Sequence, residues 1–147
     1  MLTNYDLVNL AHNFQLPIVS ICMKDKLPRR VRDGNYIINL QSSDGGRNHG
    51  THWTALVVQG QQALFFDPFG VWPSTEIRDF VKRRKGCHLA FTTTDIQDLH
   101  SNYCGWFCLG FLIFCHRGHS PEEYLSLFST TNTKGNDRII IDLFMRF

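Results

Sequence analysis

The stretch GWFCLGFLIFC, Gly105 to Cys115, limits the fold more than any other part of the chain. It is an apolar run of eleven residues. A membrane-spanning helix needs about 20 residues, so this run reads as a helix buried inside a folded protein. A helix that is apolar on every side has to be wrapped by other elements, and only its ends can reach solvent. The flanking sequence must therefore supply a sheet and further helices to pack around it.

The flanking pattern fits that demand. TNYDLVNLAHNF reads as an amphipathic helix with Thr3 as its cap and Asp6 in capping-box position. LPIVSICM and NYIINLQ are short apolar runs of strand character. SSDGGRNHG is a Gly- and Asn-rich loop, and TALVV and ALFF then form a hairpin around Gly60. PSTEIRDFVKRRKG reads as a surface helix with Ser74 near its start and Gly86 at its end. LAFTTTDIQ is β-rich. The apolar helix runs from about Cys104 to Cys115, followed by SPEEYLSLFS, with Ser120 and Glu123 as a capping box, and by NDRIIIDLFMRF. The expected fold class is α+β: a small, mostly antiparallel sheet packed on a central apolar helix. With no repeat, low-complexity segment or long linker, residues 1–147 are expected to form a single domain.

Charge and cysteine content narrow the partners. A formal net charge of +2 does not announce a nucleic-acid binder. Basic residues nevertheless cluster at Arg29, Arg30 and Arg32 and again at Lys82, Arg83, Arg84 and Lys85. Such runs are usually solvated faces; the other reading is a weak DNA or RNA footprint. Five cysteines is an odd number, and the chain does not open on a basic start followed by an apolar core and cleavage site. An intracellular protein with reduced thiols and no membrane partner is expected.

Two polar residues flank the hairpin, His52 before it and Asp67 after it. A two- or four-residue loop centred between Gly60 and Gln61 puts Thr54 opposite Asp67. His52 then becomes a diagonal neighbour of Asp67 across a Cβ gap of about 7 Å. In that register a carboxylate can fix the imidazole tautomer and stabilise the imidazolium, as a general base requires. An odd loop would separate the two. Taken alone, the pair is equally well read as an edge-strand histidine and an Asp that opens the turn DPFG.

The segment IQDLHSNYCGWFCLGFLIFC shifts that balance. Ser101 or Asn102 can cap a helix whose first turn holds Cys104 and Gly105. A cysteine there lies at the positive end of the helix dipole, which favours thiolate, and its own amide N–H can bind a developing oxyanion. Gly105 leaves room for an approaching acyl group. Gln97 offers a neutral amide as a second oxyanion donor, although a lone strand-end Gln is usually only solvated. Cys108 and Cys115 share a stripe with Cys104 and read as core, and Cys22 and Cys87 lie on apolar segments. No metal site is expected, because C-x-x-C spacing is absent and a buried helix cannot gather four ligands on one side. Histidines 49, 88, 100, 116 and 119 compete for the base role; only His49 and His100 lie near these motifs, and neither has an acid placed by a hairpin.

The order His, acid, Gln, Cys resembles the adenovirus-type maturation cysteine proteases. That group belongs with the SUMO- and ubiquitin-like-protein proteases and includes enzymes of virophages and self-synthesising DNA transposons. The resemblance rests on GTHWTALVV, LFFDPFG and IQDLHSNYCGWFCLGFL and extends back through LPIVSICMKDKLP. It implies a papain-like, adenovirus-protease-like fold with the nucleophilic cysteine at the N-terminus of the central helix. It implies His52 as general base, Asp67 as its orienting acid, Gln97 with the Cys104 N–H as oxyanion donors, and Cys104 as nucleophile. Trp53 would wall a narrow channel for glycine-containing substrates. The implied activity is a cysteine endopeptidase that cuts viral precursor proteins, capsid proteins among them, during particle maturation. Its implied location is the host cytoplasm or nucleus and then the virion. The resemblance also brings activation by DNA or by a viral peptide. The basic clusters fit the DNA half, but no cysteine can be assigned to a disulfide with a peptide, and only 43 residues follow Cys104. The same triad serves a host-directed deubiquitinase or SUMO-type isopeptidase, or an acyltransferase. A silent binding module would lack a reactive Cys104.

Overall fold

Capping chemistry and strand alternation set the elements. The Thr3 hydroxyl accepts the Asp6 N–H at 3.1 Å and the Asp6 carboxylate accepts the Thr3 N–H at 2.8 Å, closing the box that opens helix α1 (Asn4–Asn13). Strands β1 (Ser20–Met23), β2 (Gly34–Asn39), β3 (Trp53–Gln59) and β4 (Gln62–Phe66) follow. Helix α2 (Thr75–Lys82), strand β5 (His88–Phe91), helix α3 (Cys104–His116), helix α4 (Pro121–Leu125) and helix α5 (Asn136–Phe144) complete the chain. The Ser120–Glu123 box opens α4 as the sequence predicts. The structure, a computed structural model, describes residues 1–43 and 52–147. Most of the Gly- and Asn-rich loop, His49 included, lies outside the described residues.

The five strands form one sheet in chain order, β1 to β5. It is not mostly antiparallel. β2–β3 and β3–β4 are antiparallel, whereas β1–β2 and β4–β5 are parallel. The physical reason lies in the connections: α2 carries the chain back across the sheet between β4 and β5, and such a crossover returns a strand in the same direction. The sequence places a helix between those strands, so the β4–β5 pairing follows from that element, whereas β1 and β2 are joined only through a short 3-10 turn at Lys24–Lys26 and a loop. α2 itself stops at Lys82. Gly86, at φ +78°, lies in the turn beyond it.

Alternation along the central strands builds two cores. Trp53, Ala55 and Phe66 face α3, while Leu56, Val58, Ala63 and Phe65 face Ile77, Phe80 and Val81 of α2. The molecule is thus three layers, with α3 and its companion helices on one side of the sheet and α2 on the other. α3 is buried from Cys104 to Ile113 except at Trp106, so the apolar run is central, with a partly exposed strip. Phe111 stacks on Phe66 of the sheet at 4.4 Å with rings 6° from parallel. Each such buried ring contributes about 1.5–3 kcal/mol relative to exposure. No described helix is long and apolar enough to cross a membrane.

Candidate active site

The β3–β4 hairpin turns on two residues, Gly60 and Gln61, with Gln59 opposite Gln62 and Ala55 opposite Phe66. Gly60 supplies the positive φ of +61° that such a tight loop uses. This is the register expected from the sequence, and it carries His52 and Asp67 together: Nε2 lies 2.7 Å from Asp67 Oδ1. The same carboxylate oxygen accepts the Phe69 N–H at 2.8 Å, and the Asp67 carbonyl accepts the Gly70 N–H at 2.8 Å. The turn DPFG therefore both opens a loop and presents a buried acid, so the two readings of that Asp are not alternatives. Phe69 also stacks on the His52 ring at 4.8 Å. Nothing in the sequence reading had singled it out.

Cys104 begins α3, and its sulfur accepts the Trp53 N–H at 3.4 Å. With Nε2 of His52 on the acid, the other ring nitrogen is left for the thiol. Burial alone would lower the pKa of His52, but its hydrogen bonds to Asp67 and Cys104 outweigh burial and raise it from 6.5 to about 9. A ring that is protonated at neutral pH between a carboxylate and a sulfur is an imidazolium suited to an ion pair with a thiolate. Burial pushes Cys108 well up and Cys115 to about 11, which keeps both as thiols. Cys108 Sγ donates to the Trp53 carbonyl at 3.2 Å. The backbone of Trp53 is thus clamped between two cysteines one helical turn apart.

Ser101 and Asn102 do not occupy the cap position of α3. Tyr103 does, with no side-chain cap bond. The Ser101 hydroxyl accepts the Tyr103 N–H at 3.1 Å, just outside the helix. The free amides of the first turn are consequently not consumed by a capping side chain. Gln97 is buried, 1% exposed, and Nε2 donates to the Ser101 carbonyl at 3.0 Å. A primary amide has two N–H groups, and the longer contact of Nε2 with the Ser101 hydroxyl, 3.4 Å, leaves the second only weakly engaged. The Pro68 carbonyl accepts both Ile96 N–H (2.9 Å) and Gln97 N–H (3.2 Å), joining the Gln97 segment to the Asp67 turn.

Trp53 walls a cavity of about 390 Å³ together with Leu2, Ile21, Met23 and Asn39. Its indole N–H donates to the Leu2 carbonyl at 2.9 Å. The space beside Gly105 differs from the expectation of an open path for an acyl group. A Cβ there would meet Leu2 at 3.1 Å and Leu7 at 3.4 Å, so the glycine admits the chain's own N-terminal segment. Cys104 is 2% exposed. Of the other histidines, 88, 100, 116 and 119 are exposed, and His119 pairs with Glu123 at 3.0 Å. The arginines of the two basic clusters, Arg29, Arg30, Arg32, Arg83 and Arg84, line one groove, to which Lys82 and Lys85 do not contribute and which shares no residue with the His52–Cys104 site. Arg83 donates to the Pro28 carbonyl at 3.0 Å, and Arg84 binds Asp33 and the Val31 carbonyl, so part of that charge staples two loops together.

No family model matches the chain. It is 25% identical over 154 residues to the protease of Porcine adenovirus A serotype 3, covering 93% of this chain and 76% of that protein. Two crystal structures of the ASFV protease superpose with TM-scores of 0.60 and 0.51, at 13% and 17% identity, over 95% and 72% of this chain. AvrA, solved with IP6 and CoA, superposes with a TM-score of 0.54 at 19% identity over 82% of the chain. The chain is distantly related in fold to these proteins. It spans 64% and 41% of the two ASFV chains and 49% of AvrA. The α+β fold seen here, a mixed sheet on a central helix, is thus similar to the folds of the ASFV protease and AvrA.

Proposed function

We propose that this chain is a cysteine endopeptidase that cleaves viral precursor proteins, capsid proteins among them, at glycine-containing sites during particle maturation. The observation that carries the reading is the 2.7 Å contact between His52 and Asp67, with the next residue, Trp53, donating its N–H to the Cys104 sulfur at the start of α3. In this mechanism the Cys104 thiolate attacks the scissile carbonyl carbon. The negative charge on the carbonyl oxygen is held by the Cys104 N–H and by the second N–H of Gln97. The His52 imidazolium gives its proton to the leaving amine as the C–N bond breaks, which leaves a thioester. The neutral imidazole then takes a proton from water, and the resulting hydroxide releases the acid product and the thiolate. Asp67 keeps the ring oriented and charged. Trp53 narrows the approach, and glycine beside the scissile bond fits a channel closed by an indole.

The groove of Arg29, Arg30, Arg32 and Arg83 is the surface we assign to an activating polyanion such as DNA. It is supported by the way residues some fifty positions apart are brought together. The test of the main reading is cleavage of precursor proteins, with new N-termini mapped by mass spectrometry. Cys104→Ala should abolish cleavage and leave the fold intact; full activity in that variant would refute the reading. A short Gly-Gly peptide assayed beside a ubiquitin-type fluorogenic substrate separates maturation from deconjugation, and an added acyl group on a product would instead mark a transferase.

A further inference from the structure

The Gln97 amide is buried, yet little holds it directly. Its Oε1 has no hydrogen-bond partner among the described residues. Its Nε2 reaches the Ser101 carbonyl at 3.0 Å and, at a longer 3.4 Å, the Ser101 hydroxyl. Ser101 lies outside α3; its N–H donates to the Asp98 carbonyl at 2.9 Å and its hydroxyl accepts the Tyr103 N–H at 3.1 Å. It is also tied to a distant segment: the Ser101 hydroxyl donates to Asp137 Oδ1 at 2.7 Å, in the first turn of α5. A hydroxyl bonded to a carboxylate at this distance is a charge-assisted bond, about twice as strong as a neutral one.

The neighbouring residue grips the same segment from its other side. Asn136 is fully buried and donates from Nδ2 to the Ile96 carbonyl at 2.8 Å and to the Ser129 carbonyl at 2.7 Å. Its Oδ1 accepts the Ser129 N–H at 3.0 Å. The first turn of α5 therefore holds Ile96, immediately before the amide, and Ser101, the residue that binds the amide. A helix with no group of its own in the proposed chemistry sets the geometry of the segment that carries Gln97.

We propose that Asp137, anchored by Asn136 beside it, is a positioning residue that aims the Gln97 carboxamide at the oxyanion through the Ser101 hydroxyl. The proposal rests on the protease reading given above. Oxyanion donors work only when placed near 3 Å from where the charge develops, and misplacement by about 1 Å can cost on the order of 100-fold. A slackened tether acts on the transition state rather than on ground-state binding.

The test compares wild type, Asp137→Ala, Asp137→Asn and Ser101→Ala on a Gly-Gly peptide, with Cys104→Ala as the inactive reference. Asp137→Ala is expected to lower kcat by roughly 10-fold with KM unchanged. Asp137→Asn keeps an oxygen acceptor for the hydroxyl and restores most of the loss. Ser101→Ala cuts the tether from its other end and reproduces the loss. In a Gln97→Ala background, Asp137→Ala should cost less than about twofold, because the group it aims is gone. Alkylation of Cys104 by iodoacetamide, which needs the thiolate but no oxyanion, should stay at the wild-type rate. An unchanged kcat in Asp137→Ala, an equal loss in both backgrounds, or a parallel slowing of alkylation would each overturn the proposal. A wild-type chain no more active than Cys104→Ala would sink the protease reading itself, a result distinct from an active enzyme indifferent to Asp137.

Discussion

His52 Nε2 and Asp67 Oδ1 lie 2.7 Å apart because a two-residue turn at Gly60 and Gln61 fixes which residues of β3 and β4 stand opposite one another. The acid is 1% exposed and the ring 18%. The contact is therefore shielded from solvent screening, and the attraction between the two charges is stronger there than at the surface, against the cost of removing them from water. The carboxylate is fixed in turn by the Phe69 N–H, and the ring by the Phe69 face.

Removing the charge of Asp67 while keeping its shape should expose this dependence. In Asp67→Asn the ring loses its anionic partner and the preference for the tautomer that serves Cys104. kcat/KM is expected to fall about 100- to 10,000-fold. The pH dependence of Cys104 alkylation should also shift, since the charge that holds His52 near pKa 9 is gone. Unchanged alkylation and cleavage profiles would rule out the orienting role.

Stability should carry the same signature. The pKa of His52 is raised from 6.5 to about 9 in the folded chain. A raised pKa means that the folded state binds the proton more tightly than the unfolded state. Its contribution is thus complete below about pH 6.5 and is lost as the pH rises through about 9. Urea midpoints measured from pH 6 to 10 should fall across that window in wild type. The fall should be smaller in Asp67→Asn, where less of the shift remains to be lost; identical slopes would contradict the assignment.

Much of this arrangement can be read from local sequence. The capping boxes at Thr3 and Ser120, the hairpin register and the central helix all rest on short-range rules, and each appears where those rules put it. What is not legible there depends on contacts between distant segments. The parallel pairing of β5 with β4 is decided by how α2 crosses the sheet. Tyr103 takes the cap position of α3, and the Ser101 hydroxyl that accepts its N–H donates to Asp137, 36 residues later. Gln97, which alone would read as solvated, is buried by a loop that Asn136 ties down. Strict alternation would also set His52 on the sheet face opposite α3. It precedes the first residue of β3 and so is not held to that alternation.

The turn that holds Asp67 has its own requirement. Gly70 has φ +73°, and a Cβ there would come within 2.6 Å of the Thr93 carbonyl oxygen. Backbone strain and that contact together should make Gly70→Ala destabilising by about 2–4 kcal/mol. Because the Gly70 N–H is bonded to the Asp67 carbonyl, kcat/KM should fall as well. Denaturant melts with parallel kinetics would check both effects, and a variant as stable as wild type would mean that the turn relaxes freely.

Gly105 offers a choice between two roles that one pair of variants can separate. A methyl group at this position would press on Leu2 at 3.1–3.2 Å, closer than most contacts of a real Cβ, and Leu2 also receives the Trp53 indole N–H through its carbonyl. If the glycine exists to let Leu2 pack, Gly105→Ala should cost about 1–3 kcal/mol by overpacking. Shortening the neighbour in Leu2→Ala/Gly105→Ala should then recover part of that loss, so that the two changes are not additive. If the glycine instead leaves a path for the acyl group, cleavage should drop in Gly105→Ala and stay low in the double variant, whatever its stability. The packing in hand favours the first outcome. Urea unfolding and peptide cleavage measured on wild type, Leu2→Ala, Gly105→Ala and the double variant read the two roles independently.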